Sequence, residues 1–146
     1  MSFASVFRMF AAAALSLALV PIPDSMAAEG GKAKERVVLQ VSDDSVKTWN
    51  QALNVVENLQ VAYGKDNIEI EVVAFGLGIG MLKDDSVSGS RVRDAAKSGA
   101  QIIACENTMR RQKLGKDDML EGLRFVPAGI VQIIERQKQG WTVIRP

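Results

Sequence analysis

Hydrophobic and polar residues alternate along this chain with two different spacings, which predict strands and helices in turn. Residues 36–41 (RVVLQV) and 68–75 (IEIEVVAF) are dense in β-branched and apolar side chains, as is typical of buried strands. Between them, apolar residues recur at helical spacing and predict a helix over residues 46–63. Trp49 and Tyr63 lie on the apolar stripe of this helix, so we expect both side chains in the core.

The alternation continues into the second half of the chain. A helix predicted over residues 91–98 leads to a third strand over residues 101–105 (QIIAC). A short helix is predicted to follow, from about residue 107 to residue 114. We expect Gly115 to end it in the left-handed conformation that glycine adopts readily.

The last part of the chain predicts one more helix between two extended pieces. An extended piece is expected over residues 123–126, and Pro127 fits the first turn of a helix, where its missing N–H group costs nothing. A closing strand is predicted over residues 141–144. Four apolar residues are expected to pack this helix inward: Ile130, Val131, Ile133 and Ile134. The alternation of strands and helices predicts an α/β fold, with a parallel sheet covered on both faces and an undetermined strand order.

The N-terminal segment has the pattern of a secretory signal peptide. Arg8 precedes an unbroken apolar run over residues 9–20 (MFAAAALSLALV), which is too short for the roughly 20 residues that span a membrane. Prolines and small residues follow, so cleavage is expected after Ala27 or Ala28. We therefore interpret residues 1–28 as a cleavable signal peptide of bacterial type. The mature protein is expected in the periplasm, with no membrane contact after cleavage.

Composition narrows the classes of function open to the mature chain. Residues 29–35 (EGGKAKE) are interpreted as a flexible tail, and residues 36–146 as a single domain. Lys and Arg total 18 against 17 Asp and Glu, and this balance gives no charged field that would attract nucleic acid. Histidine is absent and there is one cysteine, so we expect neither a metal site nor a cofactor.

Cys105 is the leading candidate for a working residue. It ends the third predicted strand directly before the short helix, with Arg110 and Arg111 downstream, and these features favour a thiolate. The arginines could also hold an anion, or they could be exposed charges without either role. Because an exported protein with one cysteine cannot form an internal disulfide, Cys105 is an inert buried thiol, an intermolecular partner or a reactive thiol.

A glycine-rich loop follows the second predicted strand, with Gly76, Gly78 and Gly80 at alternate positions. One interpretation is a cradle in which backbone N–H groups bind a phosphate or a dinucleotide. The spacing differs from that of the dinucleotide-binding motif, however. A tight turn that needs positive φ, and that shapes a small pocket, is therefore the simpler interpretation.

Four segments together resemble the DsrE/DsrF-like proteins. Along the chain they are residues 73–76 (VAFG), 104–109 (ACENTM), 126–130 (VPAGI) and 140–144 (GWTVI). They follow one another in the same order as in that family. The resemblance covers residues 36–146. It implies a flavodoxin-like, three-layer α/β/α sandwich with a mostly parallel sheet of about five strands, assembled into homo-oligomers such as trimers or hexamers.

The resemblance also implies a role in sulfur relay, in which a cysteine carries sulfur as a persulfide between a donor and an acceptor protein. It makes Cys105 the sulfur acceptor, with Asn107 and Thr108 shaping the turn and the glycine loop as the pocket wall. No proton-transfer residue is evident, so the sequence favours a periplasmic sulfur carrier over a fast enzyme. The alternative is a non-catalytic oligomeric module that binds a small anion or a nucleotide and has a structural cysteine.

Overall fold

The structure, a computed structural model, describes residues 34–146; the predicted signal peptide and most of the predicted tail lie outside the described residues. Five strands alternate with four α-helices: β1 (Glu35–Val41), α1 (Val46–Tyr63), β2 (Ile68–Ala74), α2 (Gly89–Lys97), β3 (Gln101–Cys105), α3 (Glu106–Arg111), β4 (Arg124–Val126), α4 (Gly129–Lys138) and β5 (Thr142–Ile144). Among the described residues, none of the helices has the length and apolar character that a membrane crossing requires.

The five strands form one parallel sheet in the order β4-β3-β2-β1-β5. The predicted α/β class and parallel sheet are therefore confirmed. From β1 to β4 the chain moves one strand at a time in one direction, and it then returns across the whole sheet to β5. Because such crossovers are right-handed, this reversal places α4 on the face opposite to α1 and α2.

The two faces of the sheet carry cores of unequal size. On one face, side chains of α1 and α2 pack against alternate strand residues such as Ile70 and Val72. On the other face the core is smaller, and it joins Val73 and Ile103 of the sheet to Ile133 of α4. This division follows from the strand geometry, since successive side chains point to opposite faces.

The prediction that Gly115 ends the short helix in the left-handed conformation is wrong. Gly115 has φ −86°, whereas Lys113 has φ 56° and takes the left-handed conformation. Lys113 N–H donates to the carbonyl of Arg110 at 3.2 Å, and Leu114 N–H donates to that of Met109 at 2.9 Å. These paired bonds satisfy the free carbonyls at the end of α3, so the left-handed residue lies two positions earlier than expected and the helix itself ends at Arg111.

The expectations for α4 are also partly wrong. The helix begins at Gly129 instead of Pro127, and Ile133 is buried as expected. The other three apolar residues are exposed: Ile130, Val131 and Ile134. The sheet-facing side of α4 is occupied by Gly129, Ile133 and two polar residues that bind Glu71, so the other three apolar side chains are directed outward.

The two aromatic residues of α1 differ in burial. Trp49 is buried as expected, and its indole N–H donates to the carbonyl of Asp43 at 2.8 Å. Tyr63 is 47% exposed, so its placement in the core is wrong. It is the last residue of α1, and the buried positions of that helix end at Gln60.

Candidate functional site

The site begins at the carboxyl edge of the sheet, between β3 and β4. The chain leaves β3 towards the face that carries α1 and α2, where Met109 of α3 joins the core, and it leaves β4 towards α4 on the other face. Neighbouring strands whose chains diverge in this way open a crevice where ligands bind in open α/β sheets. Cys105, the last residue of β3, pairs with Val126, the last residue of β4.

Two helix N-termini meet at the Cys105 thiol. Cys105 is itself the N-cap of α3, and its sulfur accepts a hydrogen bond from the N–H of Gly129 at 3.2 Å. Gly129 is the first residue of α4. The positive ends of two helices therefore face the sulfur, which favours its negative form.

Thr108 connects the thiol to the glycine loop. Its hydroxyl oxygen accepts a hydrogen bond from the N–H of Gly76 at 3.0 Å. A hydroxyl has one hydrogen to donate as well as lone pairs to accept. The bond from Gly76 therefore leaves the hydroxyl hydrogen of Thr108 available to interact with the neighbouring sulfur of Cys105.

The acidity of Cys105 results from a competition between burial and hydrogen bonding. Burial raises the pKa of the Cys105 thiol. The Thr108 side chain, the N–H of Gly129 and the nearby backbone N–H groups of Thr108 and Asn107 lower it and outweigh burial, so the pKa lies below its ordinary value. The thiolate is stabilised by fixed dipoles here, in a side chain that is only 4% exposed.

Of the polar residues predicted to act in α3, Asn107 is hydrogen-bonded beside the thiol site, whereas Arg110 and Arg111 face the solvent. The backbone N–H of Asn107 donates to the carbonyl of Pro127 at 3.1 Å, which ties α3 to the loop before α4. Its side-chain oxygen accepts from Arg110. Arg110 and Arg111 are exposed in the last turn of α3 and are absent from the groups that lower the pKa of Cys105.

Of the three glycines in the predicted pocket wall, Gly76 reaches the thiol site. It has φ 56°, a conformation that glycine adopts without strain, and it presents its N–H to Thr108. The N–H of Gly78 donates to the carbonyl of Phe75 at 3.0 Å. Because both N–H groups have partners within the protein, the loop has the properties of a tight turn and does not offer these groups to a phosphate.

Gly78 and Gly80 lie away from the thiol and against the first β–α unit. A Cβ atom at Gly78 would lie 2.3 Å from the carbonyl oxygen of Val41, at the end of β1. A Cβ atom at Gly80 would lie 3.2 Å from the ring of Trp49. These two glycines therefore permit close packing of the loop on β1 and α1.

Two residues at or near the site had no predicted role. Gly129 supplies the N–H on the sulfur, and Glu71 is a fully buried carboxylate in β2 that binds Gln132 and Arg136 of α4. The sequence contains a signal for Glu71, since a charged residue inside a buried apolar strand requires a partner. Across residues 34–146, no group of three or more His, Cys, Asp or Glu side chains could hold a metal ion.

Comparison with known proteins identifies the family. The model of the DsrE/DsrF-like family matches residues 10–146. The chain belongs to the DsrE/DsrF-like family. This membership supports a sulfur-relay-like assignment, and it agrees with the placement of the single cysteine of this DsrE-like protein at the carboxyl edge of its sheet.

Solved structures agree with the DsrE-like fold. A protein of unknown function from Methanobacterium thermoautotrophicum is 34% identical, with a TM-score of 0.74, over 77% of this chain and 100% of that chain. A conserved protein of unknown function from Bacteroides thetaiotaomicron is 17% identical, with a TM-score of 0.62, over 77% of this chain and 95% of that chain, and it supports the fold alone. No curated protein matches the chain.

Proposed function

We propose that this DsrE-like protein is an exported sulfur carrier that holds sulfane sulfur on Cys105 as a persulfide. The observation that carries the proposal is the set of N–H and O–H donors around the Cys105 sulfur, which favours the thiolate needed for attack on sulfur. The single cysteine supports a carrier as well, because no second thiol of the same chain can resolve the persulfide as an internal disulfide. The apolar run over residues 9–20 supports periplasmic placement.

The transfer needs no external oxidant. The Cys105 thiolate attacks the sulfane sulfur of a donor such as a polysulfide; a new S–S bond forms at Cys105, the donor S–S bond breaks, and the donor leaves as a thiolate or as hydrosulfide. In the second step, a thiolate of the acceptor protein attacks the outer sulfur. That S–S bond breaks, the sulfane sulfur moves to the acceptor, and the Cys105 thiolate is regenerated in the same oxidation state.

The proposal is tested by the intact mass of the mature protein after incubation with polysulfide. We expect a gain of one or more sulfur atoms that reductant removes, and no gain in Cys105→Ser. The rate should fall as the pH falls through the pKa of the native thiol, because the attacking thiolate is then protonated. That pKa should lie below that of the same thiol in denatured protein, because hydrogen bonds to the sulfur lower it in the fold.

Labelling of the native thiol provides the control. A small uncharged alkylating agent should modify Cys105 in the folded protein, although the side chain is only 4% exposed. If Cys105 is alkylated only after unfolding and no sulfur adduct forms, the carrier proposal is wrong and the cysteine is structural. If Cys105 is alkylated but polysulfide leaves no adduct, the thiol is reactive and sulfur carriage is excluded.

We further propose that the protein forms a homo-oligomer, a trimer or a hexamer, through the outer face of α4. Three adjacent apolar side chains are exposed there: Ile130 at 47%, Val131 at 51% and Ile134 at 43%. An apolar surface of this kind on a helix is typical of a contact with another protein. A second copy on this face would border the thiol site, because α4 begins at the Gly129 N–H on the Cys105 sulfur.

The oligomer is tested by a charged substitution within this face. Val131→Glu should lower the mass measured by sedimentation equilibrium to that of a monomer, because a carboxylate would lose water in the contact without gaining a partner. Val61→Glu is the matched control, since Val61 is 85% exposed on α1 and should tolerate the change. A monomeric wild-type protein, or an equal effect of both variants, would contradict the proposal.

A further inference from the structure

Glu71 is a buried charge in the middle strand of the sheet. It is 0% exposed and lies in β2. Its Oε2 atom accepts from Gln132 at 2.8 Å, and its Oε1 atom accepts from Nε and Nη2 of Arg136 at 2.9 and 2.5 Å. Arg124 of β4 is 3.8 Å from Oε1. Because burial of an unpaired carboxylate is costly, these partners are required by the fold.

The partners of Glu71 and the donor to Cys105 lie on one side of α4. Residues at spacings of three and four share a helix face. The face of α4 towards the sheet contains Gly129, Gln132 and Arg136. Side chains two positions apart share a face of a strand. The facing residues of β2 and the position after it are Glu71, Val73 and Phe75.

The facing residues of α4 and of β2 are packed closely at the end near the Cys105 thiol. A Cβ atom at Gly129 would lie 3.1 Å from Val73 Cγ1, 3.2 Å from Phe75 Cβ and 3.3 Å from Cys105 Cβ. The helix backbone therefore contacts the sheet where its first N–H group meets the Cys105 sulfur. Two turns further along, the helix is bound to the sheet through Glu71.

Apolar packing alone gives α4 little to fix its position along the sheet. Gly129 and Ile133 are the buried residues of this helix, and glycine has no side chain to pack. An axial shift of about 1 Å would stretch the 3.2 Å bond from the Gly129 N–H beyond hydrogen-bond range. The bonds to Glu71 resist such a shift because they are directional and because the carboxylate that accepts them is fully buried.

We propose that Glu71 is a positioning residue that fixes α4 on the sheet through Gln132 and Arg136, and so holds the N–H of Gly129 on the sulfur of Cys105. The inference rests on the proposed function only in that the thiolate is taken to serve sulfur carriage. Its test measures the thiol alone, so sulfur carriage and helix positioning can fail separately.

The test is the pH dependence of Cys105 alkylation in Glu71→Gln. We expect the pKa of Cys105 to rise by about half to one unit. At a pH below the wild-type pKa, such a rise lowers the thiolate fraction, and so the alkylation rate, by about three- to tenfold. A direct charge effect predicts the opposite sign, since removing a carboxylate favours a thiolate. That direct effect is also small, because four steps along the strand separate position 71 from position 75, which is level with Cys105, and this amounts to a distance of about 13 Å.

Two control variants separate positioning from a loss of stability. Glu135→Gln is the matched change on the same helix, where Glu135 pairs with Lys138 at 2.9 Å on the solvent side. Ile133→Val weakens the packing of α4 without touching the ion pair. Both controls should keep the wild-type pKa of Cys105. The charged residues of α3, which are Glu106, Arg110 and Arg111, are unchanged in every variant, and the first turn of α4 has no acidic residue.

The outcomes decide the inference in either direction. An unchanged or lowered pKa in folded Glu71→Gln would overturn it, as would an equal rise in Glu135→Gln or Ile133→Val. If Glu71→Gln does not fold, Gln132→Met removes one of the two attachments, and the pKa of Cys105 should then rise by a smaller amount; no rise would overturn the inference. If wild-type protein forms no polysulfide adduct while the Glu71 dependence holds, the carrier proposal alone is wrong.

Discussion

Gly78→Ala is expected to lower the free energy of unfolding by about 3 kcal/mol or more, which is a large share of the stability of a domain of this size. The added Cβ atom would lie 2.3 Å from the carbonyl oxygen of Val41, and it would also meet the backbone N of Ser42 at 2.8 Å. Both neighbours are backbone atoms at the end of β1, so neither can move away as a flexible side chain would. Urea unfolding, followed by circular dichroism, measures the loss.

Gly115→Ala is the matched control for this change. Gly115 has φ −86°, which any residue adopts, and the nearest atom to its added Cβ would be Asp118 Oδ2 at 3.5 Å. We expect its stability to stay within about 0.5 kcal/mol of the wild type. Equal stability of Gly78→Ala and Gly115→Ala would contradict the close approach of the glycine loop to β1.

Arg136→Met is expected to destabilise the fold by about 3–5 kcal/mol, because it leaves the carboxylate of Glu71 buried without its main partner. The hydrogen bonds to Glu71 raise the pKa of the Arg136 guanidinium despite its burial. The guanidinium also lies 4.8 Å from the ring centroid of Trp141 and contributes to the packing there. Denaturant unfolding at low and high salt should give similar losses, since a buried pair is poorly screened.

The double variant Glu71→Gln/Arg136→Met separates the buried charge from the lost contacts. It should be more stable than Arg136→Met alone, because the double variant has no charge left in the interior at this position. Lys138→Met is the surface control; its pair with Glu135 is exposed, and its loss should cost less than about 1 kcal/mol. If Arg124, at 3.8 Å from Glu71, compensates fully, Arg136→Met will be as stable as Lys138→Met and the expectation is wrong.

The thiol site was predictable in part. The apolar run that ends at Cys105 placed the cysteine at the end of a strand, because strand spacing is a local property of the sequence. The donors to its sulfur were not predictable in the same way. Thr108 is near in sequence, but Gly129 is 24 residues away and meets the sulfur only because β4 pairs with β3.

The sequence by itself determined the local elements. The helix Val46–Tyr63 and the strand Gln101–Cys105 have the predicted bounds, since their periodicity depends on neighbours within a few residues. The resemblance in four segments led to the correct family and to a sheet of five strands. The same local reasoning predicted that three apolar residues of α4 pack inward, but the structure has them exposed: Ile130, Val131 and Ile134.

Only the tertiary structure decided the strand order, the face on which α4 packs and the partners of the buried charge. Glu71 binds Gln132 and Arg136 across 61 and 65 residues, and Gly78 must be small because of Val41, which is 37 positions earlier. Such contacts depend on which strands become neighbours. The spacing of residues along a chain does not specify that choice, because it is made by the packing of the whole sheet.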